Sequence, residues 1–200
     1  MSPNSPAPTE TLTATPLPTL TPKPIVIPGA GDSVFNIDKW QGAAILKIKY
    51  MGDRNFIVQN YAVGADRPYD LLVNIIGAYE GTVPLDFRDG QQTARFEITA
   101  AGAWELQILP VADARTEKIP GTISGIGDDV VLIGGGVPDL LKADASQASR
   151  NFIVQAVANN RFNLVINDIA PYTGTKILDP GTVALIINAT GSWSLEVTTR

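Results

Sequence analysis

The chain of 200 residues contains no cysteine and no histidine. Without cysteine it cannot form disulfides, thiolate nucleophiles or iron–sulfur clusters, and without histidine it lacks Ser-His-Asp triads and imidazole-ligated metals. These two absences exclude most familiar active sites. We therefore expect no catalytic residue, no metal site and no cofactor, although a pair of carboxylates could in principle still perform acid–base chemistry.

Positive charge is also scarce. Fifteen lysine and arginine residues stand against 20 aspartate and glutamate residues, which leaves a net charge of −5, and the basic residues are scattered singly. A nucleic-acid partner is not expected, because binding to phosphates needs a basic stripe. No uninterrupted apolar run reaches the roughly 18 residues that a membrane span requires. We therefore expect no membrane insertion by this segment.

Residues 1–23 are rich in proline and threonine and carry six of the chain's 15 prolines. Frequent proline removes backbone donors and restricts φ, which favours an extended, solvated chain over a folded one. We predict a disordered linker over 1–23. Such tracts are typical of stalks that hold bacterial surface domains away from the envelope, and the alternative is an inert interdomain spacer.

The remainder of the chain is an internal repeat. The hexapeptide RNFIVQ at 54–59 recurs unchanged at 150–155. The same spacing aligns the Gly-Asp pairs at 31–32 and 127–128, and later Gly-x-Trp-x-Leu segments begin at Gly102 and Gly191. We conclude that the chain contains two copies of one domain. We place repeat 1 at 24–110, a short connector at 111–119 and repeat 2 at 120–200.

Each copy has the pattern of an all-β domain. Its apolar segments are short, rich in Ile, Val, Leu and aromatic residues, and separated by Gly, Pro, Asn and Asp. The predicted fold is two tandem antiparallel β-sandwich domains, jelly-roll-like, after the linker. The alignment of the two copies is ambiguous at 44–50. A shift of one residue against the second copy restores the matching of apolar with apolar residues there.

The motif order carries a resemblance. A GD-x-V opening, a central N-F-I-V, an N-x-I-x-x-Y-x-G segment and a closing G-x-W-x-L strand occur in both copies. This order resembles the small β-sandwich modules of bacterial secreted or membrane-anchored proteins, broadly the pre-peptidase C-terminal-type domains. The resemblance implies an extracytoplasmic accessory or binding module, and it brings no catalytic residues with it.

Aromatic residues divide into shared and unshared positions. The shared ones, Tyr79 with Tyr172 and Trp104 with Trp193, are interpreted as core anchors whose polar atoms bond to loop carbonyls. The unshared ones occur only in the first copy, and they are Trp40, Tyr50 and Tyr61. We predict these three as the ligand-binding residues, since exposed rings can stack on a glycan or dock a protein. The alternative is that they pack against the neighbouring domain or the linker.

Aspartates recur at turn-like positions. Asp32 and Asp128 match between the copies, and Asp86, Asp89 and Asp179 lie near predicted turns. The spacing of an EF-hand calcium loop is absent. We interpret these residues as turn formers that bond to nearby backbone N–H groups.

Together these features predict a non-catalytic, extracytoplasmic binding or spacer module of a bacterial cell-envelope protein, with a glycan or a protein as its ligand. The alternative is a structural subunit of a surface filament or layer that assembles through the edges of its β-sandwiches. Oligomerisation is open under either hypothesis.

Overall fold

The structure is a computed structural model that describes residues 22–200. The linker predicted over 1–23 lies almost entirely outside the described residues. Within 22–200 the chain is nearly all β, with one 3-10 turn at Val111–Asp113 and no α-helix. The predicted fold class, two tandem antiparallel β-sandwiches, is confirmed for this part of the chain.

The first sandwich, called sandwich 1, contains eight strands. They are β1 (Ile25–Ala30), β2 (Ser33–Asn36), β3 (Ala44–Tyr50), β4 (Asn55–Tyr61), β5 (Asp70–Ile76), β6 (Tyr79–Leu85), β7 (Arg95–Thr99) and β8 (Ala103–Pro110). One sheet has the order β1-β8-β3-β6 and the other β2-β7-β4-β5, with every neighbouring pair antiparallel. Alternating apolar side chains of both sheets point inward and form one core.

The second sandwich, called sandwich 2, repeats this plan. Its strands are β9 (Arg115–Lys118), β10 (Gly121–Ile126), β11 (Asp129–Gly134), β12 (Pro138–Ala145), β13 (Ala148–Ala158), β14 (Arg161–Ile169), β15 (Tyr172–Ile177) and β16 (Thr182–Thr199). Strands β10, β12 and β15 join β16 in one sheet, and β14, β13, β11 and β9 join it in the other. The long β16 therefore takes the places of both β7 and β8.

Strand β16 passes from one sheet to the other near Gly191, whose φ is +104°. A Cβ atom at this residue would also lie 3.0 Å from the Cα atom of Ala148. Glycine is required here because a side chain fits neither the backbone conformation nor the space.

The register of the sheets settles the ambiguous stretch of the repeat. Leu46 in β3 lies opposite Ile108, and Leu141 in β12 lies opposite Val197. Because Ile108 and Val197 each follow the repeated tryptophan by the same distance, Leu46 corresponds to Leu141. The one-residue slip restores apolar matching, and β12 has a register irregularity between Pro138 and Leu141.

The segment 111–119 holds the 3-10 turn and then β9, which pairs with β11. This pairing is parallel, unlike the others in the two sandwiches. The segment is thus tied to sandwich 2 by backbone hydrogen bonds along β9.

A third hydrophobic cluster lies between the sandwiches. Ile45 and Leu109 contribute from sandwich 1, Val130 and Ile186 from sandwich 2, and Ala114 from the segment between them. All five are buried, and Ile45 and Val130 are fully so. Each large aliphatic side chain that is buried here stabilises the contact by about 1.5–3 kcal/mol. The two sandwiches therefore pack directly against each other.

Candidate functional site

The loop between β2 and β3, residues 37–43, carries the candidate residue Trp40 and is called the Trp40 loop. The backbone of the loop is anchored by hydrogen bonds from Lys39, whose side chain is completely buried. The Nζ atom of Lys39 donates to the carbonyl oxygens of Trp40, at 3.0 Å, and of Gly42, at 2.6 Å. Its third partner is the carboxylate of Asp86, whose Oδ2 lies 3.0 Å away. All three donors of the ammonium group are therefore used within the protein.

Asp86 is the centre of this buried network. Its φ of +56° lies in the left-handed region, where Asp and Asn are tolerated best. The carboxylate also accepts hydrogen bonds from the backbone N–H and the hydroxyl of Thr93, at 2.8 and 2.6 Å. Asn60 donates in turn to the Thr93 hydroxyl at 2.8 Å. Because every charged group in this network has partners, the desolvation cost of burying it is offset.

The network belongs to sandwich 1 alone. Gly135 takes the place of Lys39 in the second copy, and Ala156 takes the place of Asn60. Sequence reasoning missed this network, because its four members are distant along the chain and no motif joins them. The one available signal was the difference between the copies at these positions.

Trp40 is partly buried and packs against the core of sandwich 1. Its indole Nε1 donates to the carbonyl oxygen of Ala43 at 3.5 Å, a long contact, and the Lys39 Nζ lies 5.7 Å from the ring centroid. The side chain of Gln92 donates to the Trp40 carbonyl oxygen at 3.3 Å. Part of the indole surface remains open to solvent on a loop whose backbone is fixed.

The other two candidate rings are buried. Tyr50 is only 1 % exposed and stacks on Phe56, with ring centroids 4.3 Å apart. Tyr61 is 5 % exposed, its hydroxyl donates to Glu97 at 2.9 Å, and the Arg95 guanidinium covers its ring at 4.3 Å. The structure therefore does not bring Trp40, Tyr50 and Tyr61 together on one open face. A ligand-binding role for Trp40 stays a prediction.

The shared tryptophans do bond to loop carbonyls, as predicted. Trp104 Nε1 donates to the carbonyl oxygen of Gly31 at 3.0 Å, and Trp193 Nε1 donates to that of Gly127 at 2.8 Å. Each indole also lies across a glycine on the neighbouring strand, Gly29 in sandwich 1 and its equivalent in sandwich 2. The two tryptophans thus serve the same structural purpose in both copies.

The prediction that the shared tyrosines bond to loop carbonyls is wrong for Tyr79, whose partner is a carboxylate. The hydroxyl of Tyr79 reaches across to sandwich 2 and donates to Asp128 Oδ2 at 2.7 Å. The other carboxylate oxygen of Asp128 accepts the backbone N–H of Ala189 at 2.9 Å. Burial raises the pKa of both groups above their ordinary values, and the hydrogen bonds to Tyr79 and Ala189 act in the opposite direction on the pKa of Asp128.

Of the other aspartates, Asp179 bonds to a nearby backbone N–H group as predicted, whereas Asp32 bonds to a residue 68 positions away along the chain, so its prediction as a local turn former is wrong. Asp32 accepts the backbone N–H of Ala100 at 2.9 Å, which matches the bond of Asp128 to Ala189 in the second copy. Asp179 accepts the N–H of Gly181 at 2.8 Å, as a turn-forming aspartate does. Asp86 does more than the predicted turn former would, because its carboxylate is also the buried counter-ion of Lys39.

A groove of about 700 Å³ runs along the junction of the sandwiches. One wall is β5 with Tyr79 and Glu80, and the other is the outer face of β13 and β16, including Asn151, Asn188 and Thr190. A smaller cavity of about 200 Å³ continues from it toward Phe87 and Phe162. No sequence signal could locate this groove, because it depends on how the two sandwiches pack.

Neither a scan of protein-family models nor a comparison with curated proteins found a match to this chain. Between residues 22 and 200 there is no helix that is long and apolar enough to cross a membrane.

Proposed function

We propose that this chain is a non-catalytic, extracytoplasmic binding or spacer module of a bacterial cell-envelope protein, and that Trp40 contacts a glycan or protein ligand. The observation that carries the proposal is the Trp40 loop, where a buried ion pair fixes the backbone beneath a partly exposed indole. Only the first copy of the repeat has this arrangement.

A fixed aromatic side chain is well suited to binding. A flexible loop must lose conformational freedom when it engages a ligand, whereas a loop that is already held loses little. Lys39 and Gln92 hold the backbone of the Trp40 loop before any ligand arrives. An indole face supplies a large contact area for a sugar ring or a protein surface.

The spacer role is supported by the junction between the sandwiches. The buried cluster around Ile45 and Val130, together with the Tyr79–Asp128 hydrogen bond, ties the two sandwiches into one unit. The Pro/Thr-rich composition of 1–23 and the resemblance to pre-peptidase C-terminal-type modules support an extracytoplasmic setting. The non-catalytic role is supported by the aspartates Asp32, Asp86 and Asp128, whose carboxylates are engaged by structural donors.

The test is binding to an array of bacterial cell-envelope glycans and purified envelope proteins, with wild type beside Trp40→Ala. We expect Trp40→Ala to weaken the binding by at least about 10-fold, as for an aromatic hot spot. The variant should remain folded at the temperature of the assay, with an unfolding temperature lowered by the loss of the packing of Trp40 on the core. Met51→Ala is the matched control, because Met51 is a large apolar residue that is 74 % exposed outside the loop. Wild type that binds nothing on the array, or a Trp40→Ala variant that binds as wild type does, would refute the proposal.

A second candidate function is a structural subunit of a surface filament or layer. It is favoured by the free edges of the sheets, since β5 and β14 are the outermost strands of equivalent sheets in the two sandwiches. Each carries large exposed aliphatic residues, and strands with unpaired edges are ready to associate with other chains.

A further inference from the structure

An amine and a carboxyl group meet in the interior of sandwich 1. The Nζ atom of Lys39 lies 3.0 Å from Oδ2 of Asp86, and neither side chain has any exposed surface. Primary amines and carboxyl groups are the two components of an amide bond. In water they stay apart as ammonium and carboxylate, because solvent stabilises both ions. This pair is held in contact without that solvent.

The pair joins the two sheets of sandwich 1. Lys39 lies in the Trp40 loop, after β2 of one sheet, and Asp86 directly follows β6, an edge strand of the other sheet. An amide bond between them would be a covalent link across the sandwich. It would close a loop of chain from 39 to 86 and restrict the unfolded chain, as a disulfide does. Because the chain has no cysteine, an amide is a cross-link that remains open to it.

The contact brings the reacting atoms into range. The carbon that the amine would attack, Cγ of Asp86, is bonded directly to the oxygen that Lys39 contacts. Groups that a folded structure holds about 3–3.5 Å apart react as though their concentrations were very high. The carbonyl oxygens of Trp40 and Gly42 also hold the amine, at 3.0 and 2.6 Å, so it stays beside the carboxyl group.

Thr93 places two hydrogen-bond donors on the same carboxyl group. Its backbone N–H donates to Oδ2 at 2.8 Å and its hydroxyl to Oδ1 at 2.6 Å. Attack on Cγ moves negative charge onto a carboxyl oxygen, and donors that already point at that oxygen stabilise the transition state. Asn60 fixes the hydroxyl from its other side, at 2.8 Å. The site thus combines a nucleophile with an electrophile whose donors are already in place.

We propose that Lys39 and Asp86 condense to an intramolecular isopeptide bond. A proton first passes from the ammonium group to Oδ2 along the 3.0 Å contact, which leaves a neutral amine beside a carboxylic acid. Burial assists this transfer, because a low-dielectric interior penalises both charges. The Nζ lone pair then attacks Cγ, and negative charge develops on Oδ1 next to the Thr93 hydroxyl.

Collapse of the tetrahedral intermediate completes the reaction. A second proton moves from Nζ to the hydroxyl at Oδ2, the bond between Cγ and Oδ2 breaks, and Oδ2 leaves as water. The new Nζ–Cγ bond remains, and the amide nitrogen keeps one hydrogen for a neighbouring carbonyl oxygen. Asp86 also lines the cavity of about 200 Å³, which gives the water a short way out. The reaction consumes no oxidant, cofactor or other reactant.

The condensation should be slower than folding. Within residues 22–200 no third carboxyl group bonds to Lys39 or Asp86, so both protons must pass between the reacting groups themselves. We expect conversion over hours to days. The freshly folded chain therefore holds the ion pair, and the amide accumulates with age.

The test is the intact mass of the whole chain, measured under denaturing conditions during incubation below the unfolding temperature. We expect wild type to give a growing species that is lighter by one water molecule. A protease digest of that species should give a branched peptide that joins Lys39 to Asp86, and Lys39→Met should give none. Incubated wild type should also unfold at a higher temperature than fresh wild type, because the cross-link restricts the unfolded chain.

Asp89 is a second possible source of water loss, because an aspartate before a glycine can form a cyclic imide with the backbone. That product contains no branched peptide and forms equally in Lys39→Met, so the digest separates the two reactions.

Sandwich 2 supplies the matched control. It keeps the aspartate and the threonine, as Asp179 and Thr182, but has Gly135 where sandwich 1 has Lys39. Thr93→Val should slow the condensation at least about 10-fold by removing the donor at Oδ1. Thr182→Val, the same change at the equivalent position, should leave the rate unchanged.

Wild type that keeps its mass over days of incubation overturns the proposal. A lighter species without the branched peptide, or one that forms equally in wild type and Lys39→Met, overturns it as well. Equal rates in wild type and Thr93→Val would overturn the role assigned to the Thr93 hydroxyl.

Discussion

The hydroxyl of Tyr79 in sandwich 1 donates a 2.7 Å hydrogen bond to the carboxylate of Asp128 in sandwich 2. Close to this bond, the backbone N–H of Thr82 donates to the Asp128 carbonyl oxygen at 3.0 Å. Strand β6, the edge of its sheet, is thus partly covered by the turn that follows β10. The same aspartate stabilises its own sandwich and the junction between the two.

Removal of the Tyr79 hydroxyl should weaken this junction. Tyr79→Phe keeps the ring but leaves a buried carboxylate without one of its donors, which typically costs about 1–3 kcal/mol. We expect the free energy of unfolding in urea to fall by that amount. Tyr172→Phe is the control, because it deletes the same atom from the equivalent position of sandwich 2. Equal losses in the two variants would contradict a special role for the Tyr79–Asp128 bond.

Stability should depend on pH through Asp128. Burial raises its pKa in the folded state above the ordinary value of 3.8, so the folded chain binds more protons than the unfolded chain just above pH 3.8. The contribution of Asp128 to stability is therefore complete below that pH and is lost as pH rises through its folded pKa. Asp128→Asn cannot titrate, so the free energy of unfolding of wild type relative to Asp128→Asn should decrease with rising pH. A difference that stays constant or grows over this range would contradict the sign.

Replacement of only one member of the Lys39–Asp86 pair should strongly lower the free energy of unfolding. Lys39→Met leaves a carboxylate that is fully buried and has lost its counter-ion, and such changes cost about 3–5 kcal/mol. Lys39→Met combined with Asp86→Asn removes both charges and should recover much of that loss, because Asn also tolerates the positive φ at this position. Urea denaturation of the two single variants and the double variant measures the coupling. Additive losses would show that the two side chains act independently.

The contact of Trp104 with Gly29 should not tolerate a methyl group. A Cβ atom at Gly29 would overlap the Cζ2 atom of the indole, so Gly29→Ala forces the ring or the strand to move. Overpacking of this kind costs about 1–3 kcal/mol. Gly134→Ala is the control, because its nearest neighbour, the Cγ2 atom of Thr116, lies at an ordinary contact distance of 3.5 Å. Thermal unfolding should show a clear loss for Gly29→Ala and little change for Gly134→Ala.

Much of the fold could be predicted from local pattern. The alternation of apolar residues and the punctuation by Gly, Pro and Asp specify strands, because each strand buries one face and each turn needs its own backbone chemistry. The recurrence of RNFIVQ at 54–59 and 150–155 then requires that both copies fold alike, and the sheets confirm this in their strand order. The anchoring of Trp104 and Trp193 by loop carbonyls followed from the same repeat.

The candidate site was harder to predict, because burial is not a property of a residue type. Trp40, Tyr50 and Tyr61 look alike in the sequence, yet Tyr50 and Tyr61 are almost completely buried and Trp40 is partly exposed. Whether a ring lies inside or outside depends on the register of its strand and on what packs above it. A single sequence contains neither piece of information directly.

The sequence by itself determined that this protein is a duplicated all-β chain without thiol or imidazole chemistry, since composition and strand periodicity are local properties. Only the tertiary structure decided which residues from distant strands meet. Lys39 meets Asp86, and Tyr79 meets Asp128, because strand pairing and the packing of one sandwich on the other bring them together. Those contacts depend on long-range geometry, which no short window of sequence encodes.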